Sequence, residues 1–455
     1  MNDLSHAVPA LLLRGGRLID PARGLDATGD LLAVGGRIER VSTSGPISDL
    51  PADAVIVECE GRIVAPGLVD PHVHLREPGG EAKETIQTGT QAAAAGGFTT
   101  VCCMPNTNPC IDTPTVVRYI ERAARGMDAR VFVVAAATVG RKGEQLAPMA
   151  TMAAAGAVAF SDDGDGIANP AMMRRVLEVC ASLGKPFMQH CQDAQLSEGG
   201  AMNEGPVATR LGLVPWPREA EEIMLERDLR LNRRIGARYH AQHLSSGESA
   251  TILRRARAEG NRASGEVSPH HLLLTDEACL GYDTMAKMNP PLRGARDIAL
   301  LKEAVADGTI DVLATDHAPH TAAEKARDFA SAPFGIIGLE CALPLYAKAL
   351  VEDGVIGWPR LVELLTLAPA RLCGLTDGSR GVGTLAPEGA ADITVIDPTL
   401  EWTIDASAFR SRSRNCPFDG WRVRGRAVLT VLGGRVVHEV AGALGVRGLV
   451  TGSAS

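Results

Sequence analysis

Large aromatic side chains are scarce in this chain. Phe, Trp and Tyr together make up 4% of its 455 residues, whereas 49 residues are Gly. Aromatic rings supply much of the bulk of many protein cores. A chain with so few of them favours close packing of helices against strands over a core built on large rings.

Long runs of one kind of side chain are missing as well. No extended Lys or Arg run occurs and the net charge is −8, which argues against nucleic acid as a partner. No apolar run approaches the roughly 20 residues that span a membrane. The N-terminal segment also lacks the basic leader of a signal peptide. We therefore predict a cytoplasmic protein that binds neither nucleic acid nor membranes.

Cysteine pairs with the spacing of metal or redox motifs are absent. The ten cysteines form no CxxC pair, and several lie in apolar runs such as TTVCCMPN. Disulfide frameworks belong mainly to short secreted chains. The pattern indicates buried free thiols in a reducing compartment.

The two ends of the chain differ from its middle in their pattern of apolar and turn residues. Both ends are rich in short β-like runs broken by Gly, Pro and Asp, as in GDLLAVGGRIERVS and GRAVLTVLGGRVVHEV. In the middle, eight apolar runs alternate with helix-like segments, which is typical of a (β/α)8 barrel. We predict an α/β protein with a (β/α)8 TIM barrel over 65–378. A small β-sandwich domain is predicted from both termini, 1–64 and 379–455.

Polar residues that can bind metals follow five of the predicted barrel strands. The C-terminal ends of barrel strands meet at one rim, where functional residues of such barrels cluster. His72 and His74 share one face of their strand because strand side chains alternate with period two. The full set, in chain order, is His72, His74, Asp162 or Asp163, His190, His243 and Asp316.

Imidazole and carboxylate groups are the usual non-thiolate ligands of catalytic zinc. Six such ligands are too many for one tetrahedral ion and suit two, which can activate a water molecule between them. A single histidine at a strand end is more often a hydrogen-bonded core residue, but five strand ends with the same chemistry favour a metal site. Strand geometry leaves the choice between Asp162 and Asp163 open. His6, His240 and His438 are interpreted as structural.

Seven motifs together carry a family resemblance. They are DPHVHLREPG, CCMPNTNP, AFSDDG, MQHC, QHLSS, KMNPPLR and ATDHAPH, and PFGIIGLE follows the last of them. In this order they resemble the class I bacterial dihydroorotases, in the cyclic amidohydrolase branch of the amidohydrolase superfamily. The resemblance extends over nearly the whole chain, from GGRLIDPARG to GTLAPEGAADITVIDP.

The resemblance implies a role for each matching residue. It implies two zinc ions per subunit, the first held by His72, His74 and Asp316 and the second by His190 and His243. Asp163 would be the ligand shared by both ions, and Asp316 would also be the general acid/base beside a bridging hydroxide. The implied substrate contacts are His74, Arg76, Asn106, Asn289, His320, Phe334 and Gly335, with Arg76, Asn106 and His320 holding the substrate carboxylate.

The implied reaction is the reversible cyclisation of N-carbamoyl-L-aspartate to L-dihydroorotate, with loss of water, in pyrimidine biosynthesis. The nearest alternative is another cyclic amidase, a hydantoinase or allantoinase. Those relatives usually carry a carboxylated lysine at the fourth strand, where AVAFSDDG has none. A non-catalytic dihydroorotase-like subunit of an aspartate transcarbamoylase assembly is the other alternative, although such subunits lack ligands that this chain has. The family also implies a homodimer and allows association with aspartate transcarbamoylase.

Overall fold

The computed structural model describes residues 9–376 and 381–447. His6 and the predicted domain boundary at residue 378 lie outside the described residues. The strands are β1 (Ala10–Asp20), β2 (Leu25–Val34), β3 (Arg37–Ser42), β4 (Ala54–Glu58), β5 (Ile63–Pro66), β6 (Leu68–Val73), β7 (Phe98–Cys103), β8 (Arg130–Ala135), β9 (Ala159–Phe160), β10 (Phe187–Gln189), β11 (Met202–Asn203), β12 (Pro215–Trp216), β13 (Tyr239–Ala241), β14 (Ala263–Val267), β15 (Val312–Leu313), β16 (Ile393–Thr403), β17 (Arg422–Leu432), β18 (Arg435–Glu439) and β19 (Gly445–Arg447).

Eight of these strands form the predicted barrel. They are parallel and lie in the order β6, β7, β8, β9, β10, β13, β14, β15. A parallel bridge between Val73 and His317 brings the first and last strands together. The prediction of a (β/α)8 TIM barrel is confirmed, and all eight predicted strands occur.

Helices cover the outside of the barrel and fill its loops. They are α1 (Ile86–Ala95), α2 (Pro114–Ala123), α3 (Met149–Ala154), α4 (Pro170–Leu183), α5 (Pro206–Leu211), α6 (Glu219–Ile235), α7 (Gly247–Ala258), α8 (Pro269–Leu273), α9 (Ala295–Ala306), α10 (Ala322–Lys325), α11 (Ala342–Tyr346), α12 (Trp358–Leu365) and α13 (Leu367–Leu372). Helix α4 shows how the sequence sets both ends: Asn169 caps its N-terminus, Pro170 occupies the first turn, and Gly184 ends it at φ 65°. The helices pack against the strands through one large apolar cluster.

The two chain ends meet in a second sheet of nine strands, built from β1–β5 and β16–β19. Strand β1 pairs with β4 through Ala10–Arg14 and with β5 through Arg17–Leu18, and a register shift lies between the two halves. Strand β16 then pairs with β5, which joins the C-terminal strands to the N-terminal ones. One apolar cluster holds buried residues of both ends, including Leu11, Val395 and Leu429. The predicted terminal β domain is therefore present as one continuous sheet that changes partners along β1.

No helix among the described residues is long and apolar enough to cross a membrane.

The sequence patterns missed the small ribbon of β11 and β12, whose strands contain two residues each. Such short strands carry no periodicity that could reveal them.

Candidate active site

The metal-binding side chains predicted from five strand ends lie together at one rim of the barrel. His72 is in β6 and His74 follows it, and their ring centroids are 5.4 Å apart. The remaining four, Asp163, His190, His243 and Asp316, each follow another barrel strand. All six side chains are buried. Their convergence follows from barrel closure, which brings the carboxyl ends of all eight strands to one face.

Asp163 stands between two groups of ligand atoms. One group consists of His72, His74 and Asp163, and another of Asp163, His190 and His243; within each, the ligand atoms lie within 4.8 Å of one another. The Oδ1 atom of Asp163 is 3.3 Å from His72 Nε2 and 3.7 Å from His243 Nε2. A carboxylate shared in this way suits two neighbouring cations.

Asp162 points away from this cluster. Its Oδ1 accepts hydrogen bonds from the backbone N–H groups of Ala137 at 2.8 Å and Thr138 at 3.0 Å, and its Oδ2 accepts one from the Thr138 hydroxyl. Its carboxylate therefore hydrogen-bonds to the loop after β8. Of the two adjacent aspartates that the sequence left as alternatives, Asp163 faces the histidines and Asp162 does not.

The donor set fits divalent cations. The Nε2 atom of His72 is fully buried and has no hydrogen-bond partner among the described residues. It faces two carboxylates, at 3.3 Å from Asp163 and 3.4 Å from Asp316. On the other side, His190 Nδ1 and His243 Nε2 are 2.8 Å apart. Buried imidazole nitrogens and carboxylate oxygens that lie within 4.8 Å of one another are the donor set of a zinc-type site.

Glu266 forms hydrogen bonds to the ligand cluster, and the sequence patterns did not predict this role. Its Oε1 lies 2.5 Å from His72 Nδ1, and its Oε2 lies 3.0 Å from His240 Nε2. The backbone N–H of His243 donates to the same carboxylate at 3.2 Å. His240 thus has the structural role expected of it. A charged residue at the end of a buried strand is unusual, and the Glu in the GEV sequence of β14 could have indicated this role.

The buried charges keep the carboxyl groups ionised. Desolvation opposes ionisation, but the surrounding imidazoles, first among them His72, hold the pKa of Asp163 and that of Asp316 well below the usual range. The same desolvation acts on His72, and the carboxylates of Asp163 and Asp316 outweigh it and raise the pKa of His72 well above its ordinary value. The cluster therefore places ionised carboxylates among imidazoles, and the negative oxygens favour positive charge between them.

A cavity of about 170 Å³ opens above the cluster. All seven residues predicted to contact substrate line it: His74, Arg76, Asn106, Asn289, His320, Phe334 and Gly335. Asp163, His190, His243 and Asp316 line it as well, so it is continuous with the ligand cluster. Among the described residues that line it there is no lysine.

One side of the cavity is suited to bind an anion. Arg76 is anchored by its Nε, which donates to the carbonyl of Pro319 at 3.2 Å. Burial lowers the pKa of Arg76 to about 10, so the guanidinium is still charged near neutral pH. Burial, reinforced by Arg76, lowers the pKa of His320 to about 2, so its imidazole is neutral. Asn106 adds an amide whose Oδ1 is 2.9 Å from His74 Nδ1.

Three site residues have backbone conformations that side chains disfavour. The φ angles are 61° at Arg76, 30° at His243 and 47° at Asp316, and none of the three is glycine. Positive φ values cost a non-glycine residue free energy and recur where a side chain must be aimed at a ligand. They lie just past the strand ends, where the chain turns across the barrel mouth.

The remaining predicted residues and the neighbouring histidines are also located. Asn289 donates to Gln192 Oε1 at 3.0 Å, and the same oxygen lies 2.8 Å from His190 Nε2, so Gln192 links two predicted residues. Sequence reasoning missed Gln192. His270 and His271 are buried but do not line the cavity, and His271 Nε2 donates to the Pro290 carbonyl at 3.1 Å.

Proteins of similar sequence and fold are known. Residues 61–249 match a family model described as Dihydro-orotase-like. The dihydroorotase of Pelotomaculum thermopropionicum is 48% identical over 433 residues, which are 94% of this chain and 98% of that protein. The dihydroorotase of Syntrophus aciditrophicus is 43% identical over 430 residues, 94% of this chain and 99% of that one. A solved structure of the L-hydantoinase (dihydropyrimidinase) from Arthrobacter aurescens has a TM-score of 0.83 at 25% identity and covers 94% of this chain and 96% of that one.

Proposed function

The chain belongs to the dihydroorotase family, and we propose that the site residues named above carry out its reaction, the interconversion of N-carbamoyl-L-aspartate and L-dihydroorotate. It is a hydrolase that acts on cyclic amides. One observation carries the assignment of residues: five of the six predicted metal ligands line the same cavity as Arg76, Asn106 and His320. Both parts are needed, because the substrate is an anion with a reactive cyclic amide.

The family and the His/Asp groups together indicate a metal-dependent enzyme. We propose two zinc ions, one bound by His72, His74 and Asp316, the other by His190 and His243, with Asp163 shared. When bound, such a pair supplies a nucleophilic water of lowered pKa and polarises the carbonyl that is attacked.

Asp316 is proposed as the general acid/base. Its carboxyl group stays ionised because neighbouring imidazoles, His72 and His74, lower its pKa. Its Oδ1 lies 2.9 Å from His74 Nε2, which fixes the carboxylate at the edge of the cavity. In the hydrolytic direction Asp316 accepts the proton of the attacking water and passes it to the ring nitrogen that leaves. In the biosynthetic direction the steps reverse: Asp316 accepts the proton from the nitrogen that closes the ring and donates it to the water that leaves.

Arg76, Asn106 and His320 are proposed to orient the substrate. The Arg76 guanidinium offers a planar fork that matches a carboxylate. His320 can donate one hydrogen bond as a neutral imidazole, and Asn106 can serve an amide as donor and acceptor. Holding the substrate carboxylate at one side of the cavity brings the ring amide toward the metal cluster and lowers the entropic cost of reaction.

One preparation tests the function and its nearest alternative. Metal content is measured by elemental analysis, and hydrolysis of dihydroorotate, hydantoin and allantoin is assayed side by side. We expect about two equivalents of zinc per chain and turnover of dihydroorotate alone. Preferential turnover of hydantoin, the substrate class named by the structural neighbour from Arthrobacter aurescens, would instead assign a hydantoinase. A folded, metal-free protein without activity would favour the non-catalytic subunit.

Three further predictions concern assembly, which the family resemblance implies, and location, which the sequence composition implies. They are a homodimer, association with aspartate transcarbamoylase and a cytoplasmic location. Sedimentation of the purified protein, with and without aspartate transcarbamoylase from the same cells, tests the first two. Cell fractionation tests the third.

A further inference from the structure

A segment of the terminal β domain reaches the mouth of the barrel. Residues 410–415 lie between β16 and β17, outside the barrel, and Ser411, Ser413 and Asn415 are buried. We call residues 410–415 the strap. Its Ser411 hydroxyl donates to Glu84 at 2.5 Å, and its Ser413 hydroxyl donates to the Lys83 carbonyl at 2.6 Å. These two contacts attach the strap to the loop after β6.

Asn415 attaches the strap to the other side of the mouth. Its Oδ1 accepts a hydrogen bond from the backbone N–H of His320 at 3.1 Å. Its Nδ2 donates to the carbonyls of Ala318 at 2.9 Å and Gly335 at 3.0 Å. Its own carbonyl accepts from the Ile337 N–H at 3.0 Å. The side chain is 2% exposed, so these bonds form without competition from water.

The backbone segments that Asn415 joins approach each other closely at the substrate cavity. Gly335 has φ 148°, and a Cβ atom there would lie 2.6 Å from the Ala318 carbonyl oxygen and 2.7 Å from His320 Cδ2. The His320 ring therefore rests directly against the Gly335 backbone. Its position depends on that approach, which Asn415 holds through three hydrogen bonds to main-chain atoms.

We propose that Asn415 is a positioning residue for substrate binding: its amide fixes Ala318, His320 and Gly335 so that the His320 imidazole stays directed at the substrate carboxylate. The inference rests on the proposed function, because it takes His320 as a substrate contact. Asn415 touches neither the cavity nor the ligand cluster among the described residues. Its effect should therefore pass through His320, and the carboxylate of Asp316 should keep its place.

The first test compares steady-state constants for dihydroorotate hydrolysis. Asn415→Ala removes all three side-chain hydrogen bonds, and we expect KM to rise about tenfold while kcat stays within about threefold, because only substrate binding is weakened. Ser413→Ala is the matched control, since it removes a hydrogen bond of the same buried strap that ends on Lys83. It should leave KM within about twofold. An equal rise of KM in both variants would overturn the proposal.

A double-mutant cycle tests whether Asn415 affects KM through His320. In a His320→Ala background, Asn415→Ala should change KM by less than about twofold, because the group that Asn415 positions is already absent. Additive effects of the two substitutions would overturn the proposal. Wild-type protein that fails to hydrolyse dihydroorotate would instead contradict the proposed function, so the two failures are distinguishable.

Folding is checked separately by circular dichroism and thermal unfolding. KM does not depend on the fraction of active enzyme, so partial recovery of Asn415→Ala still allows the comparison. Asn415→Asp serves as a second variant, because it keeps an acceptor for the His320 N–H and loses both donors. It should also raise KM with kcat nearly unchanged. If neither variant accumulates as folded protein, Asn415 is purely structural and the proposal is wrong.

Discussion

The Nδ1 atom of His72 lies 2.5 Å from Oε1 of Glu266, and both side chains are completely buried. Desolvation opposes the charge of Glu266, yet His72 and His240 lower its pKa to about 2. An ionised carboxylate at this distance fixes the proton of His72 on Nδ1. It thereby leaves Nε2 free to bind a metal.

From this contact we expect Glu266→Gln to weaken metal binding by about 10- to 100-fold, as loss of a carboxylate behind a histidine ligand commonly does. Metal retention is measured by titration with a competing chelator. Asp30→Asn is the control, because Asp30 is also a buried carboxylate, lies in the terminal sheet and accepts hydrogen bonds from the N–H groups of Gly15 and Ile47. Equal metal affinity in wild type and Glu266→Gln would contradict the role of Glu266.

Asp162 and Asp163 are expected to respond in opposite ways to substitution. Asp162→Asn disturbs the bonds to Ala137 and Thr138, so it should lower the free energy of unfolding by about 1–3 kcal/mol and preserve metal content. Asp163→Asn should lose metal, because its carboxylate belongs both to the group with His72 and His74 and to the group with His190 and His243. Chemical denaturation and elemental analysis of the two variants check the pair. Metal loss in Asp162→Asn alone would reverse the assignment.

Asp316→Asn is expected to retain most of its metal and to lose turnover. The amide keeps a ligand oxygen but cannot accept the proton of the attacking water, so kcat should fall by about 10² to 10⁴-fold. Elemental analysis and the dihydroorotate assay are run on the same sample. Full activity of this variant would exclude Asp316 as the general acid/base.

Arg76→Ala is expected to act mainly on substrate binding. Loss of a charge-assisted contact of about 1.5–3 kcal/mol corresponds to a KM increase of roughly 10- to 100-fold. Arg76→Lys should recover only part of this affinity, because an ammonium group lacks the planar fork of guanidinium. Both values come from substrate titrations. A kcat loss with unchanged KM would place Arg76 in the chemical step.

Ionisation of Glu340 should lower the stability of the protein as the pH rises. Burial raises its pKa to about 7, although the backbone N–H groups of Arg410 and Ser411 both donate to it. A carboxyl group with a raised folded pKa stabilises the protein fully below pH 4.5, and that contribution is lost as the pH rises through 7.

Between pH 5 and 8, wild type should therefore lose up to about 3 kcal/mol of unfolding free energy relative to Glu340→Gln. Denaturation of both proteins at each pH measures the difference. Parallel curves would show that Glu340 titrates normally.

The barrel and most of the site could be read from local patterns. Alternating apolar runs indicated all eight strands in order, and every predicted ligand lies at or just past the end of one of them. The seven predicted substrate contacts line one cavity for the same reason, since they lie at strand ends or in the loops at that face of the barrel. The roles of these residues remain predictions that the experiments above can test.

Other features depended on partners that no local pattern reveals. Two adjacent aspartates look equivalent in SDDG, and only the hydrogen bonds from Ala137 and Thr138 show which one turns away. Glu266 lies 194 residues from His72 in the chain, and Asn415 lies 95 residues from His320. The terminal sheet was likewise expected from both ends, but its continuity through β1 follows from pairing between distant strands.

The sequence by itself determined which residues stand at the ends of buried strands, because periodicity and turn residues act over a few positions. Only the tertiary structure decided which atoms face each other across the barrel mouth. Closure of the barrel, packing of the strap against it and the hydrogen bonds of buried polar groups set those contacts, and these depend on the whole fold.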